Sequence, residues 1–399
     1  MQNIIYLFLK SSVNKKKKNQ LKMEYNVSIV KCEGYNEEVV DKAVENALNL
    51  IGGIGSYIKK KDKVLLKANM LIARNPEEAT TTHPLVLKAV IKQVKKAGGI
   101  PFVGDNSGIG DINKIAEITG IGKVCKETNA IFVDLSKTKE FKNPKGSLIK
   151  NFTLTDKFDN FDKIIDIPKL KTHTFTIITG AVKNLFGLIP GNLKKSFHLR
   201  MQDNINFSQM LLDLYGFVKP DLTIADGIIG MEGEGPSGGN PRKIGLILAS
   251  NDSLALDNVF SKIINFKEEE IPLLMLAKKH GLSQAFLKNI GILGQKIEDV
   301  RINDFKKPGT VKSRVPKWFL HLLRKFLTAK PAVTAEKCTH CSSCFKVCPA
   351  KSINMVDGIP QFDYSKCIRC YCCQEVCPSR AIYLKKSYVL KVSRHFLKI

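Results

Sequence analysis

The stretch Cys338-Thr-His-Cys341-Ser-Ser-Cys344-Phe-Lys-Val-Cys348-Pro349 is answered by Cys367-Ile-Arg-Cys370-Tyr-Cys-Cys373-Gln-Glu-Val-Cys377-Pro378, the same spacing a second time. A cubane [4Fe-4S] cluster needs four thiolates converging on it, and a tight loop with two-residue gaps supplies three of them. Each run therefore reads as three ligands plus a fourth Cys that closes on a Pro. Zinc closes with two Cys pairs and has no use for a third Cys followed by Cys-Pro. A disulfide framework does not suit cysteines crowded into one end of a long chain.

From about Ala335 to Leu384 the segment resembles bacterial-type two-cluster ferredoxins, in which the fourth Cys of each run crosses to the other cluster. The expected sets are Cys338, Cys341, Cys344 and Cys377 for one cluster, and Cys367, Cys370, Cys373 and Cys348 for the other. Cys372 breaks the register and is expected not to ligate. Cys32 and Cys125 sit among apolar residues and read as small core side chains.

Outward from this module, a chain of 399 residues leaves room for one large domain. With 44% hydrophobic residues a sizeable core can form, and no apolar run reaches the ~18 residues of a membrane span. The expected division is a basic leader at 1–22, either disordered or preceding a true start at Met23, then an α/β domain at 23–300. A basic linker at 301–330, the ferredoxin-like domain at 331–385 and a basic tail at 386–399 follow. Thiolate ligands and unpaired cysteines point to a reducing compartment, hence the cytoplasm.

The formal charge of +26 gathers at the leader, the linker and the tail. The linker alone holds nine Lys or Arg against Asp304. No nucleic-acid reading module with interleaved aromatics accompanies it, which disfavours nucleic acid. Steering of an acidic redox partner protein fits the charge better. Within the linker, Val315 to Leu327 reads as a basic amphipathic helix carrying the only Trp; such a helix can lie on a membrane surface, or bury its apolar face against the protein.

After Met23, short β-branched runs alternate with amphipathic stretches, the pattern of a mostly parallel sheet covered by helices. Strands are expected at Val27–Val30, Lys63–Ala68, Pro101–Gly104, Ile131–Val133, Lys163–Ile167, Leu222–Ala225 and Ile244–Ala249. Helices are expected at Pro84–Ala97, where Val86, Val90 and Val94 share a face before Gly98-Gly99, and from about Gly180 to Leu188 before Pro190-Gly191.

Several of these strands end in polar residues, and in open α/β sheets ligands bind beyond the carboxyl ends of the strands. Lys67, His83, Asp105, Lys171, His173 and Asp226 are therefore expected to line one cleft, with Asn69, Asn106, Ser107 and Lys169 near them. Lysines would attract a carboxylate or phosphate; two His and two Asp could hold a further metal. His83 precedes Pro84 at a helix start, where the dipole keeps imidazole neutral, and capping is the alternative role. His198 is expected in a basic loop after Pro190-Gly191. The glycine-rich loop Met231 to Pro241 lacks a P-loop ending, so no nucleotide is expected; Glu232 and Glu234 could take a cation, or the loop could be a lid.

Lys67-x-Asn69, Thr82-His83-Pro84, Gly104-Asp105, Pro168-Lys-Leu-Lys171-x-His173, Lys183-Asn184, and Asp226-Gly followed by Glu232-Gly-x-Gly-Pro236 resemble the domain-of-unknown-function family numbered 362. The resemblance spans about Val27 to Leu282. Its members are often fused to ferredoxin modules as uncharacterised iron-sulfur-centre proteins, so it implies a fold and a fusion without a reaction. The expectation is an iron-sulfur protein passing electrons to or from a reductive site in the α/β domain. A weaker similarity to nickel-pincer lactate racemases implies the alternative, an acid-base or metal-dependent enzyme with structural clusters.

Overall fold

The computed structural model describes residues 23–108, 110–310 and 328–385. The leader, the 315–327 helix and the tail expected from the sequence lie outside them.

The large domain is built on one ten-stranded sheet. In chain order its elements begin with β1 (Tyr25–Lys31), α1 (Glu37–Leu50), β2 (Lys63–Ala68), α2 (Pro84–Lys96) and β3 (Ile100–Gly104). They continue through α3 (Ile112–Ile118), α4 (Ile121–Thr128), β4 (Ile131–Phe132), a separate hairpin β5–β6 (Thr138–Lys142, Asn151–Thr155), β7 (Lys163–Ile167), β8 (Lys169–His173) and β9 (Ile177–Thr179). Next come α5 (Ala181–Asn184), α6 (Gly191–Arg200), α7 (Asn204–Val218), β10 (Leu222–Glu232), β11 (Asn240–Ser250), α8 (Ser253–Ile263), α9 (Pro272–Lys279) and β12 (Ile290–Gly294).

The strand order is β12-β1-β11-β10-β7-β2-β3-β4, with β8 and β9 beside β10. Pairing is parallel from β10 through β7, β2 and β3 to β4, and between β1 and β12; β11 runs antiparallel to both neighbours. Strand alternation divides the core into two layers. Leu65 joins the layer under α7, α8 and α9, whereas Val64, Leu66 and Ala68 join the one under α1 and α2. As expected, Val86, Val90 and Val94 are all buried on α2.

The strand expected at Lys163–Ile167 is present with those bounds as β7, but the structure departs from the expectations in three other places. Beyond Pro168 the chain, whose β7 pairs Leu222–Thr223 of β10, resumes as a further strand, β8, pairing Asp226 and Met231 of the same strand. Pro cannot donate to a ladder, so the break falls there. Asp226 does not follow a strand; it lies inside the 11-residue β10. The segment holding His198 is helix α6 instead of a loop, because Pro190 ends one helical stretch and caps the next.

The C-terminal module pairs β13 (Lys330–Val333) with β16 (Ile382–Lys385), and β14 (Ile353–Val356) with β15 (Ile359–Phe362). Two short helices, α10 (Ser343–Val347) and α11 (Cys372–Glu375), follow the cysteine loops. The cysteine repeat is also a backbone repeat. His340 and Arg369, Ser342 and Tyr371, and Lys351 and Arg380 occupy equivalent positions in the two runs, and all six have positive φ. Non-glycine residues enter that region at a cost and persist where the surroundings hold them, commonly around a ligand.

Candidate functional site

Cys348, Cys367, Cys370 and Cys373 line one cavity, closed by Pro331, Ile353, Phe362 and Tyr371. This is the crossed set expected for the second cluster, so the apolar-walled cradle fits the group. Three members of the other set also converge, since Cys341 and Cys377 are near enough to raise the Cys344 thiol, behind the larger effect of burial. Ser352 N–H approaches the Cys348 sulfur at 3.3 Å, the kind of contact that tunes a cluster.

A larger cleft, with about 90 Å³ of internal space and partly open to solvent, lies between the large domain and this module. Its walls include Lys67, Asp105 and Lys171, together with Lys183, Lys194, Lys195 and His198, and, from the module, Val347, Cys372, Glu375 and Val376. The lysine on β2 is fixed on three sides. Lys67 Nζ lies 3.0 Å from Asp105 Oδ1 and donates to Asn184 Oδ1 at 2.9 Å and to the Ala68 carbonyl at 3.0 Å. Close approach of Gly187 makes this possible, because a Cβ there would overlap Asp105 Oδ1 and Lys67 Nζ.

Asn184 ties the floor together. Its Nδ2 donates to Asp166 Oδ1 at 2.8 Å, and its Oδ1 accepts from Asn69 Nδ2 at 3.0 Å. Asp166 is fully buried, and burial holds its carboxyl well above the ordinary range despite the opposing charge of Lys67. Lys171 Nζ donates to Asn69 Oδ1 at 2.8 Å and to the Thr80 carbonyl. Burial, reinforced by Lys183 and Lys169, lowers its pKa well below that of an ordinary lysine. The same cause lowers Lys183, against the pull of Glu375 and Cys372, and brings Lys194 down to about 7.

His173 is wholly buried beside the cleft and is not one of its lining residues. Its Nδ1 accepts from Phe175 N–H at 3.0 Å and Thr176 N–H at 3.3 Å, which places the proton of the neutral ring on Nε2. Nε2 is 3.3 Å from Glu375 Oε1, within reach of the charge but off the line of a hydrogen bond. Burial and then Lys183 depress the imidazole far below its usual pKa.

His83 and Asp226 are elsewhere. His83 caps α2, its Nδ1 accepting from Leu85 N–H at 3.2 Å, and its ring stacks on Tyr35 at 3.6 Å. Asp226 pairs with Lys169 at 2.8 Å and accepts from Tyr35 Oη at 2.9 Å and His83 N–H at 2.9 Å. This closed, satisfied knot supports the sheet and lines neither of the two cavities described above. Of the six residues expected in one pocket, Lys67, Asp105 and Lys171 line it, His173 stands behind its wall, and His83 and Asp226 do not reach it. Among the described residues no group of three or more His, Cys, Asp or Glu side chains is arranged to hold a further metal ion. Glu232 and Glu234 receive backbone N–H groups of Lys306 and Gly309, at 3.0 and 2.9 Å, and so pin the start of the linker.

The module is seated on the large domain by buried polar contacts. Arg74 donates to the Ser237 carbonyl at 2.7 Å and to the Cys377 carbonyl at 2.6 Å; Ser237 Oγ reaches the Glu375 carbonyl at 2.7 Å, and Gln374 Nε2 the Glu234 carbonyl at 2.9 Å. Lys183, Lys194, Cys372 and Glu375 were not in the expected cleft set. The Lys183-Asn184 pair was visible as a motif, but nothing local in the sequence marks Glu375 or Cys372 as facing another domain.

Residues 64–262 match the family model described as Domain of unknown function (DUF362), and residues 330–378 match the 4Fe-4S dicluster domain. The thylakoid-associated protein sll1697 of Synechocystis sp. (strain ATCC 27184 / PCC 6803 / Kazusa) is 33% identical over 262 residues, covering 65% of this chain and 81% of that protein. The lactate racemase apoprotein from Thermoanaerobacterium thermosaccharolyticum overlays 59% of this chain and 55% of its own, at 15% identity and a TM-score of 0.36. So loose an overlay carries no argument about activity.

Proposed function

Because the chain belongs to the DUF362 family and is an iron-sulfur protein with a 4Fe-4S dicluster domain at its C-terminal end, we propose that it binds two clusters and exchanges electrons with a small ligand held in the interdomain cleft. One observation carries this reading: Cys373 lines the cluster cradle while its neighbour Cys372 lines the cleft. Only the wall of α11 separates the two.

When bound, the clusters supply or accept single electrons at potentials set by exposure and by hydrogen bonds to sulfur. The residues of the chain do the rest. Lys67, Asp105 and Asn184 hold a rigid floor, the module closes one side of the cleft, and Lys194 can hold or release a proton near neutral pH. The fusion keeps donor and site together at a fixed geometry. An acidic redox protein as the outside partner accords with the basic charge, and a cytoplasmic location with thiolate ligation. Among the described residues no helix is long and apolar enough to cross a membrane.

The rival reading is acid-base chemistry in the same cleft with clusters that only hold the fold, and the lowered lysines are what favour it. A single experiment separates them. The anaerobically prepared full chain is reduced with dithionite and offered a panel of small metabolites while cluster absorbance is followed. Electron transfer expects reoxidation by a subset of them, abolished by Lys183→Gln with cluster reduction itself unchanged. Turnover that is equal with oxidised and reduced clusters would decide for the rival.

A further inference from the structure

Resting on the reading of this cleft as a ligand site, we infer that its ligand is a small oxyanion, a carboxylate or a phosphate, seated at the N-terminal end of α6 between Lys183, Lys194 and Thr179. Helix α6 is ten residues long and opens at Gly191, which lines the cleft, with Pro190 as a cap that offers no side-chain bond. The first N–H groups of a helix lack intrahelical partners and carry the positive end of its dipole. Gly191 also packs so closely on the Ser107 carbonyl that a Cβ would not fit, which locks this end of α6 against the loop after β3.

Independent of the helix, and besides the Glu375 Oε1 that stands near His173, two buried polar groups of the lining have no hydrogen-bond partner among the described residues. They are Thr179 Oγ1, in a residue 3% exposed, and His198 Nδ1, in a residue 7% exposed. Leaving such groups unpaired costs free energy that a ligand accepting or donating there would recover. The third observation is the charge balance. Five lysines line the cleft, Lys67, Lys171, Lys183, Lys194 and Lys195, against the carboxylates of Asp105 and Glu375. Asp105 is committed to Lys67, and Glu375 alone faces the rest.

Lys171, Lys194 and Lys195 already donate to Asn69 and Thr80, to the Asn106 carbonyl and to the Lys346 carbonyl respectively. Lys183 Nζ makes no hydrogen bond or ion pair among the described residues; its nearest ring is Phe186, at 6.0 Å. It is therefore the cation with all its donors available. An oxyanion is the ligand chemistry that answers a helix N-terminus, a spare ammonium and a spare hydroxyl together.

Burial takes the Lys194 ammonium down to about 7, with Asp105 and Glu375 opposing and Lys67 and Lys183 assisting. A bound oxyanion favours the protonated form, so binding near pH 8 draws in a proton. Affinity should accordingly weaken as pH rises through 7.

Calorimetric titration of the oxidised, anaerobically prepared full chain tests the inference with inorganic phosphate, succinate and neutral succinamide at pH 6 and pH 8.5. Phosphate, succinate or both should bind, while succinamide should not; which anion is preferred identifies the group. Lys183→Gln and Lys194→Gln should each weaken binding at least tenfold, as should raising the pH to 8.5. Lys142→Gln, on the exposed edge of β5, should leave it unchanged. Iron content and circular dichroism report whether each variant has folded, and Lys195→Gln, on a partly exposed side chain, gives a second test with a smaller loss expected. No binding of either anion, equal binding of succinamide, or unchanged affinity in folded Lys183 and Lys194 variants would overturn the inference. The oxidised protein needs no electrons, so this failure would leave the electron-transfer reading standing. An anion that binds without ever reoxidising the clusters would do the reverse.

Discussion

His173 Nε2 and Glu375 Oε1 stand 3.3 Å apart, one at the end of β8 in the sheet domain and the other on α11 of the ferredoxin-like module. The carboxylate is nearly buried, and burial raises its pKa while Lys183, Lys171 and Lys194 hold it down. The module thus contributes a side chain to the electrostatics of the large domain.

Arg74 should decide whether the module stays seated. Its guanidinium serves two buried carbonyls, Ser237 and Cys377, and leaving both unpaired costs about 1–3 kcal/mol each. Arg74→Ala is expected to keep its iron while amide hydrogen exchange rises sharply around 234–238 and 374–380. Arg74→Lys should rescue little, since a point charge cannot span both acceptors.

Iron content should follow the crossed ligand sets. Two clusters require about eight iron and eight sulfide per chain. Cys344→Ala and Cys373→Ala should each lose one cluster, whereas Cys372→Ala, whose side chain lines the cleft, should lose none. Full iron in the first two variants, or loss in the third, would overturn the assignment.

His83 should give the protein an acid-sensitive step. Burial lowers its pKa to about 4, below the ordinary 6.5, and its Nδ1 must be unprotonated to accept from Leu85 N–H. A depressed pKa contributes stability that is present above 6.5 and is lost as pH falls through 4. His83→Asn keeps a capping acceptor without the titration. Denaturant unfolding from pH 7 to 4 should show wild type losing a few kcal/mol more than the variant.

Removing one member of the Lys169–Asp226 pair should be costly and confined to stability. Both side chains are fully buried, and an uncompensated buried charge costs about 3–5 kcal/mol. Lys169→Met should lower the unfolding midpoint strongly while the folded fraction binds phosphate or succinate as wild type does.

What the sequence disclosed, and what it withheld, follows the range of the interactions. The cysteine runs are local and repeated, so the cradle of Cys348, Cys367, Cys370 and Cys373 was legible before any fold. Helix α2 was equally plain, because Pro84 and the valine spacing are local signals. Lys67, Asp105 and Lys171 could be grouped by the rule that ligands lie beyond parallel strand ends. That rule misplaced Asp226, since β10 continues past it as a partner for β8. It also misplaced His83, whose position depends on stacking against Tyr35, far away in sequence. Lys194 and His198 were read as loop residues because Pro-Gly marks an ending more often than a beginning. Glu375 carried no signal at all, since its role exists only once the module is docked.

The matching left-handed residues make the two cysteine runs equivalent halves in backbone, and docking breaks that equivalence. Where the second run has Cys372, Gln374 and Glu375, the first has Ser343, Phe345 and Lys346. Cys372, Gln374 and Glu375 turn their side chains to the large domain, whereas the Phe345 and Lys346 side chains are exposed and Lys346 meets that domain through its carbonyl, which accepts from Lys195. The halves remain twins in how they cradle metal and have become strangers in what they show their neighbour. A module turned end for end would bring an ammonium up against a nest of lysines. The charge of Glu375 thus adds a polarity to the seat that Arg74, Ser237 and Gln374 already fix, like the offset pin of an asymmetric plug.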